Sequence, residues 1–358
     1  MADAASLLHH ELRFAHVASG ARIAWARSGR FGAPVLVRLA HWMTHVEHDR
    51  SSPIWRPWLE RLGRALELVR YDERGCGLSG PDDVPVSLES ALEELDVVVQ
   101  ARAAPRVALL GISGAAAPAV AYAVRHPERV SHLVLLGGYL AGMMHHDPKP
   151  EHLAYHEARL RLVELGWGRN DPAVQAFFTT TFIPEATREE VAALNEQQRL
   201  SASGARVARI LRARVELDVR ALAPQVRVPT LVLHASDDRT VPIEAGRELA
   251  AAIPGARFES LDSRNHYPLA SSPCFDRFCE LVTSFVADAG ASAPRLTPRE
   301  RQLAELLAQG LDNLQIAARL VLAEKTVRNA TSALYVKLGV DGRSQAIVRA
   351  RELGFGAG

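Results

Sequence analysis

Short apolar runs alternate with amphipathic stretches over the first 288 residues. Runs rich in valine, leucine and isoleucine predict buried strands at residues 34–39, 66–71, 106–110, 133–136, 230–234 and 257–261. Two more strands are predicted within residues 12–28, on either side of a turn at Ser19-Gly20. The stretches between strands predict helices near residues 54–62, 87–100, 115–125, 243–253 and 274–287. This alternation predicts an α/β fold with a mostly parallel sheet covered on both faces.

The alternation of strands and helices stops between residues 142 and 220. Helical segments dominate there, and they carry the aromatic residues Trp167, Phe177, Phe178 and Phe182. We therefore expect a helical cap, at about residues 140–225, inserted above the sheet. Most of these aromatic side chains are expected in the core, with a few facing a cavity between cap and sheet.

A second, smaller unit is expected because 358 residues exceed the length of one average domain. Residues 289–295 are small and mostly uncharged, which is typical of a linker between domains 1–288 and 296–358. Just after it, Thr297, Pro298 and Glu300 form the pattern of a capping box that starts a helix, and Gly310 is placed to end it. A short helix is predicted next, near residues 313–320.

The third helix of this small unit is amphipathic. Its apolar side carries Val327, Leu334 and Leu338 at spacings of seven and four. Polar residues occupy the opposite side at positions i, i+3, i+4 and i+7, namely Lys325, Arg328, Asn329 and Ser332. A helix with one buried side and base-reading chemistry on the other is what recognition of the DNA major groove requires.

These residues resemble the LuxR/FixJ/NarL-type helix-turn-helix domain. The matching stretches are LTPRERQLAELLAQGLDN, QIAARL, EKTVRN, KLGV and SQAIVRA. Ala323 replaces the usual serine or threonine cap of the third helix, and Ala330-Thr331 replaces a His-Val pair. The resemblance implies an all-α unit that binds double-stranded DNA, with a dimer contact in the last helix, residues 343–353. It makes Arg328, Asn329 and Ser332 the base contacts and Lys325, Thr326 and Lys337 the phosphate contacts.

The charge distribution favours DNA binding over the alternative of a helical appendage with a merely solvated polar face. Residues 295–358 hold ten Arg or Lys against six Asp or Glu, a net of +4, whereas the whole chain is +1. Positive charge is therefore concentrated in the unit that would contact DNA phosphates.

A candidate nucleophile lies in the large unit, at the end of a predicted strand. Residues Gly111-Ile112-Ser113-Gly114-Ala115 approximate the G-x-S-x-G nucleophile elbow, with a strand before and a helix after. Asp238 follows another predicted strand, and His266 lies 28 residues further on. Serine, then acid, then histidine is the chain order of a hydrolase triad.

The large unit resembles an α/β hydrolase over residues 12–288, with DERGCGLSG as a further shared stretch. The resemblance implies that Ser113 is the nucleophile, that His266 is its general base and that Asp238 orients the imidazole. Asp237 is the adjacent alternative for the acid. The backbone N–H groups of Trp42 and Gly114 would form the oxyanion hole, although Ala40-His41 stands where His-Gly is usual.

No metal or other cofactor is expected. His41, His45 and His48, and separately His152 and His156, have spacings that could bind a metal, but neither group belongs to a recognisable motif. Three scattered cysteines suit a reducing compartment, and the sequence suggests neither a signal peptide nor a membrane span. We therefore expect a cytoplasmic protein.

The sequence favours a DNA-binding transcriptional regulator, expected as a homodimer, whose hydrolase-like domain senses a small, partly apolar ligand and could also hydrolyse it. The alternative is a serine hydrolase acting on an ester, lactone or thioester, with an appended DNA-binding domain. A third interpretation is an inert scaffold that dimerises the DNA-binding unit. The sequence alone leaves these interpretations open.

Overall fold

The computed structural model describes residues 9–80, 85–167, 172–291, 296–338, 340 and 342–356. It divides into two compact units, Met1–Val286 and Ala287–Gly358. Among the described residues, no helix is long and apolar enough to cross a membrane.

An eight-stranded sheet forms the centre of the first unit, with strand order β1-β2-β4-β3-β5-β6-β7-β8. The strands are β1 (His10–His16), β2 (Arg22–Gly29), β3 (Val35–Arg38), β4 (Glu67–Tyr71), β5 (Val107–Ile112), β6 (Val130–Leu136), β7 (Thr230–Ala235) and β8 (Arg257–Leu261). Strand β2 pairs antiparallel with β1 and with β4, and the other neighbouring strands are parallel. The predicted α/β class and mostly parallel sheet are confirmed.

Helices cover both faces of this sheet. They are α1 (Arg56–Gly63), α2 (Leu88–Arg102), α3 (Ala116–Arg125), α8 (Ile243–Ala252) and α9 (Phe275–Ala291). Alternate residues of β5 enter different cores, because Leu109 packs with side chains of α2 and α3 whereas Leu110 packs with those of α1 and α9. All six residues of β5 are buried. Burial on both faces is why the central strands appear in the sequence as continuous apolar runs.

Among the described residues, four α-helices lie between β6 and β7, in the range expected for the cap. They are α4 (Pro150–Gly166), α5 (Pro172–Phe182), α6 (Arg188–Ser201) and α7 (Gly204–Arg214). Gln197 of α6 joins them to the sheet side, since its Oε1 accepts a 2.7 Å hydrogen bond from Trp55 Nε1 and its Nε2 donates one of 2.7 Å to Met43 O. Phe178 and Phe182 are buried in the same apolar cluster as residues of the sheet.

The second unit contains α10 (Pro298–Ala308), α11 (Asn313–Leu320), α12 (Glu324–Leu338) and α13 (Arg343–Glu352). The capping box forms as predicted, because Thr297 Oγ1 accepts from the Glu300 N–H and Glu300 Oε2 accepts from the Thr297 N–H. Gly310 follows α10 with φ of +85°. Helix α9 extends into the expected linker, and residues 292–295 of that linker lie outside the described residues.

Candidate active site and nucleic-acid interface

Ser113 lies in a sharp turn between β5 and α3. Its φ is +54°, a left-handed conformation that is uncommon for a residue with a side chain. The turn is tight, because a Cβ on Gly111 would lie 2.7 Å from Ala115 O and a Cβ on Gly138 would lie 2.6 Å from the Ala116 side chain. Small residues at these positions therefore allow the strand to turn directly into the helix, as a nucleophile elbow requires.

His266 contacts Asp238 and not the neighbouring Asp237. Nδ1 of His266 lies 2.6 Å from Asp238 Oδ2, and both side chains are buried. The other oxygen, Oδ1, accepts hydrogen bonds from the backbone N–H groups of Thr240 (2.7 Å) and Val241 (3.1 Å). Burial alone would raise the pKa of Asp238, but His266 and the two N–H donors hold it below its usual value. This geometry favours an ionised Asp238 that fixes the orientation of the imidazole.

The second ring nitrogen of His266, Nε2, is buried and has no hydrogen-bond partner among the described residues. His266 and Ser113 line the same cavity. The ring is packed closely, because a Cβ on Gly137, where φ is +58°, would lie 2.9 Å from its Cε1. The fold thus brings the three predicted triad residues to one site, with Nε2 as the nitrogen not engaged by the acid.

The cavity beside Ser113 has a volume of about 360 Å³. Residues that follow the strands and residues of the cap both line it. Most lining side chains are apolar or aromatic: Trp42, Tyr139, Leu140, Ala141, Met143, Phe182, Leu211, Val215, Val241, Pro242, Ala245 and Tyr267. Its size and lining are typical of a small-molecule site.

The two residues expected at the oxyanion hole both border this region. Gly114 follows Ser113 in the turn, and a Cβ there would lie 3.0 Å from Tyr139 Oη and 3.2 Å from Arg214 Nη1. Trp42 lines the cavity, and its buried Nε1 has no hydrogen-bond partner among the residues that the structure describes. The sequence interpretation missed Tyr139 and Arg214, because no motif marks a residue that reaches the site only through the fold.

The histidines considered as metal ligands occupy different surroundings. His41 and His156 line the cavity, and burial lowers the pKa of each ring. His45 and His48 contact each other at 6.3 Å between ring centroids. Within the described residues, no three His, Cys, Asp or Glu side chains converge as metal ligands. Cys76 is buried, and burial raises the pKa of its thiol well above the usual value.

Helix α12 in the second unit has one buried and one exposed side. Val327, Leu334 and Leu338 pack into the core of the unit. The exposed side carries all six residues expected to contact DNA: Lys325, Thr326, Arg328, Asn329, Ser332 and Lys337.

Two of these exposed side chains form ion pairs that the sequence pattern did not reveal. Arg328 Nη2 lies 2.6 Å from Glu324 Oε1, one turn earlier in the same helix. Lys337 Nζ lies 2.7 Å from Glu300 Oε1 of α10. Glu300 also belongs to the capping box with Thr297. Lys337, which is expected to contact a phosphate, therefore pairs with Glu300, a residue that also completes the capping box of α10.

Comparison with known proteins identifies relatives for each unit separately. Residues 43–273 match the family described as alpha/beta hydrolase fold, and residues 294–350 match bacterial regulatory proteins of the luxR family. The "Putative carbamate hydrolase RutD" of Azorhizobium caulinodans is 26% identical over 244 residues, covering 66% of this chain and 88% of that protein. The spore germination protein GerE of Bacillus subtilis is 51% identical over 63 residues, covering 18% of this chain and 85% of that protein.

The crystal structure of the enol-lactonase from Burkholderia xenovorans LB400 matches the fold with a TM-score of 0.62 at 23% identity. The match covers 76% of this chain and 99% of that chain.

Proposed function

Because the chain belongs to the alpha/beta hydrolase fold family and ends in a LuxR-family DNA-binding domain, we propose that it is a transcriptional regulator controlled by a small molecule. The ligand binds in the cavity beside Ser113. One observation carries this proposal: a cavity of about 360 Å³ and an exposed, polar recognition helix occur in one polypeptide.

The proposed DNA contacts follow from the exposed side of α12. Arg328, Asn329 and Ser332 contact base edges in the major groove, where arginine and asparagine form bidentate hydrogen bonds with guanine and adenine. Lys325, Thr326 and Lys337 contact phosphates and position the helix. The protein binds as a homodimer to paired half-sites, an arrangement that helix-turn-helix dimers commonly use.

Control by the ligand is a shift between two populations. The ligand must bind the DNA-competent state and the other state with different affinities. Only this difference in affinity changes DNA binding. A tenfold difference in ligand affinity between the states changes their ratio by at most about tenfold.

The second candidate function is hydrolysis of an ester, lactone, thioester or carbamate. This function is favoured because His266, which lines the same cavity as Ser113, contacts Asp238 at 2.6 Å. In this reaction Ser113 Oγ would attack the carbonyl carbon while His266 Nε2 takes the hydroxyl proton. The backbone N–H groups of Trp42 and Gly114 would hold the oxyanion. His266 would then protonate the leaving group, and water would release the acyl group as an acid.

The test of the regulatory proposal starts with native mass spectrometry of the full-length protein, which measures its oligomeric state and the mass of any bound ligand. DNA affinity is then measured for protein stripped of ligand and for the same protein reloaded. We expect the two affinities to differ at fixed salt. Equal affinities would refute control by the ligand. Ser113→Ala should keep the response if the intact ligand is the signal and lose it if a hydrolysis product is.

A further inference from the structure

Two arginines of the cap line the cavity beside Ser113. Arg159 belongs to α4 and Arg214 ends α7. Neither forms an ion pair or hydrogen bond with any described residue. Arg212, two residues before Arg214, instead lies 2.8 Å from Glu164. Within the part of the chain that the structure describes, the two cavity arginines therefore have no carboxylate in an ion pair, whereas Arg212 has one.

Aromatic rings contact these two guanidinium groups. Cζ of Arg214 lies 5.8 Å from the ring centroid of Trp42, within the range of a cation–π interaction. Cζ of Arg159 lies 5.6 Å from the centroid of Phe177 and 5.9 Å from that of Tyr155. A ring face stabilises a cation without using its N–H donors. As far as the described residues are concerned, the donors of both arginines are therefore available to an anion.

Arg214 lies next to the turn that holds Ser113. A Cβ on Gly114, the residue after Ser113, would be 3.2 Å from Arg214 Nη1 and 3.3 Å from its Cδ. Burial raises the pKa of the Glu73 carboxyl, and the positive charge of Arg214 partly opposes this rise. Glu73 and Arg214 nevertheless form no ion pair. An anionic group bound to Arg214 would therefore lie beside the candidate nucleophile.

The charges that line the cavity do not cancel. Arg159 and Arg214 are opposed by one acidic lining residue, the exposed Glu248. Burial lowers the pKa of His41 and of His156, so both rings are neutral near pH 7. The lining thus carries a net charge of about +1 when its histidines are neutral, which one monoanion would balance.

We infer that the ligand of this cavity is an amphipathic monocarboxylate. Its carboxylate lies on the guanidinium group of Arg214, beside Ser113. Arg159 adds a second positive charge to the lining, and the apolar body of the ligand packs against aromatic lining residues such as Phe182 and Tyr267. The planar fork of a guanidinium matches the two oxygens of a carboxylate. This inference rests on the proposed function only in assuming that the cavity holds a ligand.

The test compares acids with neutral amides of nearly the same shape. Isothermal titration calorimetry on the full-length protein uses three pairs: 3-phenylpropionate and its amide, 4-phenylbutyrate and its amide, and octanoate and octanamide. We expect at least one acid to bind on the order of tenfold to a hundredfold more tightly than its amide, because a hydrogen bond to a charged group is stronger than a neutral one. If no acid binds more tightly than its amide, the inference is wrong.

Variants then locate the anion. Arg214→Met should remove most of the preference for the acid, and Arg159→Met should weaken it. Arg212→Met is the matched control, because it removes an arginine from the same helix that does not line the cavity. Circular dichroism verifies that each variant is folded. An Arg214→Met protein that is folded and binds the acids as the wild type does would overturn the assignment. The wild-type comparison remains decisive if a variant does not fold.

DNA affinity, measured in the same samples, separates this inference from the proposed function. If the acids bind more tightly than the amides but do not change DNA affinity, control by the ligand is contradicted and the carboxylate site is still supported. Amides that change DNA affinity as strongly as acids would contradict the carboxylate site and leave control by the ligand standing.

Discussion

Nδ1 of His266 lies 2.6 Å from Oδ2 of Asp238, so Nε2 is the ring nitrogen available to take a proton from Ser113. Asp238 is fixed in turn by two backbone N–H groups, those of Thr240 and Val241. The neighbouring Asp237 has no such relationship to His266, and its backbone N–H donates to Ser263 O. The structure thus distinguishes between two acids that the sequence presents side by side.

Replacing Asp238 should reduce the reactivity of Ser113. Asp238→Asn keeps the shape of the side chain but stabilises the wrong tautomer of His266, so we expect the rate of Ser113 labelling by a fluorophosphonate to fall on the order of 10³-fold or more. Asp237→Asn is the matched control and should label as the wild type does. Equal losses in the two variants would contradict the assignment of Asp238.

Neutralising Glu300 should strengthen DNA binding. Glu300→Gln retains a residue that can complete the capping box with Thr297 but removes the partner of Lys337. Exposed ion pairs are weak, so losing this one costs little stability. The ammonium group of Lys337 can then bind a DNA phosphate. We expect a several-fold higher affinity at low salt and a salt dependence steeper by up to about one unit.

Glu305→Gln provides the control for this prediction. It removes an acid from the same helix that does not pair with Lys337, and its Oε1 accepts from the Gly356 N–H instead. Anisotropy titrations at several salt concentrations measure both quantities. If Glu300→Gln and Glu305→Gln change the affinity and the salt slope equally, Lys337 has no special role.

A buried carboxyl should make the stability of the large unit depend on pH. Burial and the neighbouring Glu73 raise the pKa of Glu94 from 4.5 to about 7, although Arg74 donates a 2.7 Å hydrogen bond to it. Between these values the folded protein keeps a proton that the unfolded chain has lost. This group therefore lowers the free energy of unfolding as pH rises through that window, by up to about 1.4 kcal/mol per pH unit.

Denaturant unfolding of the wild type and Glu94→Gln at several pH values measures this contribution. Titrating groups that do not interact with Glu94 cancel in the difference between the two proteins, which should change mainly between about pH 4.5 and 7. Glu89→Gln is the control on the same helix, because Arg125 lowers the pKa of Glu89 and moves its titration to more acidic solutions. A difference between wild type and Glu94→Gln that is independent of pH would refute the raised pKa.

Much of the fold was predictable because local rules and burial agree. The predicted strand at 106–110 corresponds to β5, Val107–Ile112, and the predicted helix at 313–320 has the bounds of α11. Buried strands are continuous apolar runs, and Thr297 with Glu300 marks the start of α10 in the sequence itself. These signals depend on residues that are close in the chain.

The residues that line the cavity, and other contacts between distant parts of the chain, were not predictable in the same way. Arg214 reaches the turn at Ser113 from a helix that begins about ninety residues later, and no spacing rule relates the two. Lys337 and Glu300 are likewise 37 residues apart and meet only when α10 and α12 pack. Contacts between distant residues depend on the relative placement of elements, which periodicity does not specify.

We propose that α12 recognises the base sequence of DNA. The most direct test of this claim is an anisotropy titration, at one fixed salt concentration, of the full-length protein with a duplex obtained by in vitro selection and with a scrambled duplex. We expect the wild type to prefer the selected duplex by about 10³-fold or more, and Arg328→Ala with Asn329→Ala to lose most of that preference. Equal affinity of the wild type for the selected and scrambled duplexes would contradict the claim.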